Sequence, residues 1–158
     1  MRVTVGDISN ALEEFAPLNY QESYDNSGLL VGDHNREVKS CLLSIDCTIE
    51  VVEEAIEKKC QMIVSHHPIV FSGLKSLTGK NHIEQAVIAA IKNDISLYAC
   101  HTNLDNMRYG VNDKIAEKLG LTNARILLKK SATLSKIITY LPELNLAEIQ
   151  AAIHQEGA

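Results

Sequence analysis

This sequence predicts an α/β fold: a mainly parallel or mixed sheet with helices on both faces, followed by the start of a small α+β module. Three observations predict it. Apolar runs with β-branched or aromatic content, at Val38 to Asp46, Met62 to Val64 and Leu97 to Cys100, alternate with amphipathic segments of helical period. The separations between those runs suit βαβ crossovers, which join parallel strands and cover both sheet faces. The runs also end on Asp46, on His66-His67 and on His101, and an open α/β sheet gathers its ligands beyond the carboxyl ends of its strands.

Taken in order, the first helix starts at Thr4, whose hydroxyl can cap it with Asp7 three residues on. Ile8, Ala11, Leu12 and Phe15 line one face, and Pro17 stops it. Residues 20 to 37 are polar and glycine-bearing, which predicts an ordered loop around a short strand. Val38 to Asp46 reads as a buried strand, and Thr48 can cap a helix that turns Val51, Val52, Ala55 and Ile56 inward. The strand ending in His66-His67 follows, then a Gly and Lys loop over 72–80. Ile83, Ala86, Val87, Ala90 and Ile91 keep helical spacing and lead to the strand that ends at His101. A further helix runs from about Val111 to Leu119, with Gly120 as its stop. Residues 125–129 and 136–141 are β-prone, and Leu146 to Gln155 is amphipathic and closed by Gly157. One strand and one helix cannot bury their apolar faces alone, so 1–130 reads as the main α/β domain and 131–158 as the opening of a second, incomplete module.

Composition narrows the function classes. Apolar residues are 46% and charged ones 22%, the balance of a globular chain. With 2 Phe and no Trp, the interior must be filled by Ile, Leu and Val. A net charge of −5 and no basic run longer than Lys129-Lys130 argue against a nucleic-acid surface. Cys41, Cys47, Cys60 and Cys100 sit in or beside apolar segments without a C-x-x-C pair, and read as reduced, small hydrophobes. No apolar stretch reaches the roughly 20 residues of a membrane span. Met1-Arg2-Val3-Thr4 opens no signal-like core, so the expected location is cytoplasmic.

The histidines carry the chemistry. Neighbours on a regular strand face opposite sides, so His66 and His67 reach one centre only where the strand ends, and Pro68 supplies that ending. The pair could bind two ions, or one imidazole could bind metal while the other moves protons. The bland alternative is a satisfied histidine beside a solvated one. Asp105, in His101-Thr102-Asn103-Leu104-Asp105, is either a carboxylate ligand or the N-cap of a short helical turn. His101 is either a ligand or a donor that orients one. Asp46 either caps the following helix or lines the site, and Asp25 and Asn26 have a good turn reading. His34, His82 and His154 read as surface histidines. Nitrogen and oxygen donors in this mixture suit zinc, manganese or iron.

Four blocks, in order, resemble the NIF-three-like family, whose bacterial members are often labelled GTP cyclohydrolase I type 2 homologues. Asp25-Asn26-Ser27-Gly28-Leu29-Leu30-Val31-Gly32 looks like the family's D-N-x-G-L-x-V-G block, and Ser44-Ile45-Asp46 like its strand ending in aspartate. Ile63 to Phe71 looks like its double-histidine segment. Tyr98 to Asp105 with Gly110-Val111-Asn112-Asp113 is similar to its H-T-N-x-D and G-x-N-D blocks. The resemblance implies a two-metal centre with His66, His67 and Asp105 as ligands and His101 close by. It also implies a ring-shaped homo-oligomer, usually a hexamer, and a metal-dependent hydrolase acting on a small molecule. Residues 131–158 then become the start of an inserted α+β domain. In longer members the remaining ligands, a histidine and a glutamate four residues apart, follow in a C-terminal part. The expected activity is hydrolysis of a nucleotide-like or phosphorylated compound, with His101 or Asp46 orienting water or moving a proton. The alternative is a scaffold or regulatory interaction protein whose metal is structural.

Overall fold

The computed structural model describes residues 2–127 and 137–155. By contacts the chain forms two compact units, one ending at Arg125 and one beginning at Ile126. In the first, four strands make one sheet: β1 (Gly28–Val31), β2 (Cys41–Ser44), β3 (Met62–Ser65) and β4 (Ser96–Ala99), in spatial order β1-β4-β3-β2. The three strands β2, β3 and β4 are parallel, and β1 joins β4 antiparallel, so the sheet is mixed.

Alternation along the strands assigns each face. Leu42, Ile63 and Leu97 turn toward α2 (Ile49–Glu57) and α3 (His82–Lys92), where Val52, Ala55, Ala86 and Ala90 meet them. Met62, Val64 and Tyr98 turn the other way, onto Val5, Ile8 and Leu12 of α1 (Val5–Phe15). Fully burying side chains such as Met62, Ile63 and Leu97 contributes about 1.5–3 kcal/mol each. Cys47, Cys60 and Cys100 are buried as thiols, and burial pushes Cys47 up to about 11, far from a reactive thiolate.

The helix starts follow their capping residues. Thr4 and Asp7 form a reciprocal capping box on α1, and the helix yields at Ala16, before Pro17. Thr48 caps α2 by accepting from Val51 N, and Asn81 caps α3 by accepting from Glu84 N. Gly120, at φ 68°, ends α5 (Val111–Lys118) in the left-handed conformation a glycine adopts freely.

Two expectations need correcting. The strand predicted over Val38 to Asp46 is ladder-paired only from Cys41 to Ser44. Before it, Gln61 Oε1 accepts from Lys39 N and Ser40 N, so a side chain takes the place of a partner strand. The β-prone runs 125–129 and 136–141 show no strand at 125–127 or 137–141; residues 128, 129 and 136 lie outside the described residues. Ile126, Leu127, Ile137 and Ile138 are exposed, and a β run without a ladder partner does not persist in water. The helix predicted over 146–155 is present as α6 (Leu146–Gln155), while its expected stop, Gly157, is outside the described residues. Among the described residues no helix is long and apolar enough to cross a membrane.

Candidate metal centre

Parallel pairing carries the backbone past the last strand residues. His66 N and His67 N donate to Ser44 O and Ile45 O, and Cys100 N donates to Ser65 O. The carboxyl ends of β2, β3 and β4 therefore finish level, with Asp46, His66-His67 and His101 on one edge. The three imidazoles face one another there. Ring centroids are 4.9 Å apart for His66 and His67, 5.2 Å for His66 and His101, and 5.6 Å for His67 and His101. One ring nitrogen from each lies within 4.8 Å of the others.

Each ring is held by its Nδ1. His66 Nδ1 donates to Cys100 O at 3.0 Å, His67 Nδ1 to Asp46 Oδ1 at 2.7 Å, and His101 Nδ1 to Asp25 Oδ1 at 2.8 Å. A carbonyl or a carboxylate only accepts, so the proton of each neutral ring sits on Nδ1 and Nε2 keeps its lone pair. Outer carboxylates and carbonyls orient metal-binding histidines in this way. Asp105 Oδ1 lies 3.9 Å from His66 Nε2 and adds an oxygen donor.

Asp105 owes its place to α4 (Thr102–Asp105), a single turn that opens at His101. Asn103 is fully buried; its Oδ1 accepts from His101 N, and its Nδ2 donates to Ala16 O at 2.7 Å. Asp105 is therefore the last residue of the turn and not its N-cap. Just beyond, Asn112 Nδ2 donates to Asp105 O at 2.8 Å, and Asp113 Oδ2 accepts from Tyr109 N at 2.7 Å. A Cβ on Gly110 would stand 2.3 Å from Leu104 O, so only glycine lets this stretch lie against the turn.

Asp25 is the residue that a turn reading undervalues. Its side chain is fully buried, and besides His101 Nδ1 it accepts from the Thr102 hydroxyl, from Thr102 N at 3.1 Å and from Ser27 Oγ at 3.0 Å. Burial alone would raise its carboxyl. The hydrogen bonds from His101, Thr102 and Asn26 outweigh that and hold it well below the usual carboxylate range. Its place follows from the antiparallel register of β1 on β4: Gly28 faces Ala99, so three residues before Gly28 lie opposite three residues after Ala99.

A family model for DUF34/NIF3 (NGG1p interacting factor 3) matches residues 3–157. The chain belongs to the DUF34/NIF3 family. A GTP cyclohydrolase 1 type 2 homolog of Clostridium acetobutylicum is 37% identical over 154 residues, which cover 94% of this chain and 58% of that protein. One from Staphylococcus aureus is 40% identical over 153 residues, covering 97% of this chain and 42% of its own length. The chain thus spans about half the length of these relatives. A crystal structure of a Bacillus cereus protein related to NIF3 superposes with a TM-score of 0.78 at 36% identity, over 83% of this chain and 36% of that one. The blocks that mark this DUF34/NIF3 chain in sequence are the ones that bond to each other in space. Asp25 meets His101 and Thr102, Asn26 Nδ2 donates to Val70 O behind the double histidine, and Asn112 holds the Asp105 turn.

His66, His67, His101, Asp105 and Asp46 are thus brought to one edge, with Asp46 turned to His67. Among the described residues of this unit, His34 and His82 take no part in the cluster.

Proposed function

We propose that this edge is a divalent-metal site and that the chain is the metal-holding part of a hydrolase for a nucleotide-like or phosphorylated small molecule. The observation that carries the proposal is the shared pattern of the three histidines. Each spends Nδ1 on a fixed acceptor and keeps Nε2 for a ligand, within reach of a carboxylate. Three imidazole nitrogens and one carboxylate oxygen are a donor set that zinc, iron and manganese accept. His66, His67 and Asp105 would hold the ion, joined by His101, whose ring lies 5.2 and 5.6 Å from theirs against 4.9 Å between the two.

When bound there, a divalent ion supplies Lewis-acid activation of water and of a phosphoryl or ring carbon–nitrogen bond. The residues of the chain do the rest. Asp25 and Cys100 O fix the rings of His101 and His66 from the buried side. Asp46 holds the proton of His67 Nδ1 on the solvent side, where the His67 and Asp46 side chains are 51% and 63% exposed. The names of the relatives support a nucleotide as the substrate class.

The test is metal uptake. His66→Ala with His67→Ala should abolish stoichiometric zinc binding in calorimetry and elemental analysis while leaving the circular dichroism spectrum unchanged. An unaltered metal content in that double variant would make the assignment wrong.

A further inference from the structure

Two aromatic rings stand at the rim of the histidine cluster and fill no core. Phe71 is 47% exposed and Tyr24 is 65% exposed. The Phe71 centroid lies 6.3 Å from that of His101, edge-on at 79°, and the Tyr24 centroid lies 6.4 Å from that of Phe71 at 47°. Both separations fall within the range of aromatic contacts, so His101, Phe71 and Tyr24 form a continuous chain of rings leading out from the site.

Their backbones are anchored although their faces are open. Tyr24 directly precedes Asp25, which is locked onto His101 and Thr102. Phe71 follows Val70, whose carbonyl accepts from Asn26 Nδ2 at 2.6 Å. The bonds that hold the histidine ring thus also hold the wall beside it. Exposed apolar rings kept in a fixed place beside a candidate metal ligand have the character of a ligand subsite.

We infer that Tyr24 and Phe71 form the stacking wall for the planar heteroaromatic ring of a nucleoside-type ligand, whose phosphate or hydrolysable end reaches the histidines. The inference rests on the metal-site reading for the direction in which the ligand lies. Stacking on the wall itself needs no metal, so the two can fail separately. Phe71 stays 47% exposed beside His101, and a flat ligand ring gains most from contact with an exposed aromatic ring. Base-on-aromatic stacking contributes about 1–3 kcal/mol per ring.

The experiment is calorimetry on the full chain with three probes: guanosine, inorganic tripolyphosphate and guanosine 5′-triphosphate. Guanosine is titrated with and without zinc, the other two with zinc. The expected result is that Phe71→Ala weakens guanosine and guanosine 5′-triphosphate by about 5- to 150-fold. Tyr24→Ala weakens both by less, Phe71→Trp restores both, and tripolyphosphate binds all variants alike. Wild-type guanosine affinity in Phe71→Ala overturns the wall, as does an equal loss for tripolyphosphate. A third overturning result is a change of oligomeric state in Phe71→Ala by light scattering with guanosine affinity unchanged, since the rings would then serve a second copy of the chain. Zinc uptake, measured on the same samples, judges the metal reading apart from these outcomes.

Discussion

The two aspartate–histidine pairs of the site have the same chemistry and nearly the same length, yet they stand in opposite surroundings. His101 and Asp25 meet at 2.8 Å with the carboxylate wholly buried, while His67 and Asp46 meet at 2.7 Å with both side chains more than half exposed. Water competes for the second pair and screens it. The first pair has no substitute partner once broken. One arm of the candidate site therefore also holds the fold, whereas the other orients a ring at small cost to the fold.

Single substitutions separate the two arms. Asp25→Ala should be the most damaging, because it strands His101 Nδ1, the Thr102 hydroxyl and Thr102 N together in a buried place. Leaving buried donors without an acceptor costs about 1–3 kcal/mol each, which urea unfolding would register. Asp46→Ala should cost under about 1 kcal/mol in the same measurement. It should still lower zinc affinity, by about 10- to 100-fold, as removal of an orienting carboxylate does. Equal stability losses in the two variants would refute the distinction.

Gly110→Ala tests a third support, the one beneath Asp105. A methyl group 2.3 Å from Leu104 O forces the backbone apart, a strain of about 1–3 kcal/mol. The turn that carries Asp105 should shift with it. Zinc affinity should therefore fall further than in Asp46→Ala relative to the stability lost, and unchanged affinity would detach the glycine from the site.

Much of this was legible in the sequence, for identifiable reasons. Apolar period placed α1, α2, α3, β3 and β4, because those elements bury regular stripes, while Thr4 and Thr48 marked the starts of α1 and α2 and Gly120 the end of α5. The sequence also brought His66, His67, His101 and Asp46 to one edge, since parallel strands finish together. Asp25 was not legible by the same logic. Its role depends on β1 pairing antiparallel across a sequence separation that no local period encodes. Glu84 was hidden too: a carboxylate in a first helical turn looks like an ordinary favourable charge until the loop folds over it.

Glu84 offers the smallest effect and a carboxylate to set against both aspartates, buried like Asp25 but remote from the cluster in its bonding. It accepts from Thr78 N at 2.8 Å, from Thr78 Oγ1 at 2.9 Å and from Lys80 N at 3.3 Å, and so ties the loop after Phe71 to the start of α3. The bond from Thr78 N does most to lower its carboxyl, to about 2, against the opposing effect of burial. The unfolded chain takes up this proton near the ordinary value of about 4.3, and the folded chain does so only near 2. Glu84 therefore stabilises the fold fully above about 4.3. That contribution shrinks as the pH falls and is gone below about 2. Glu84→Gln removes the titrating group, so the urea midpoint of the variant should change less than that of the parent between those limits. Parallel pH profiles for the two proteins would show that the carboxylate contributes nothing to the loop.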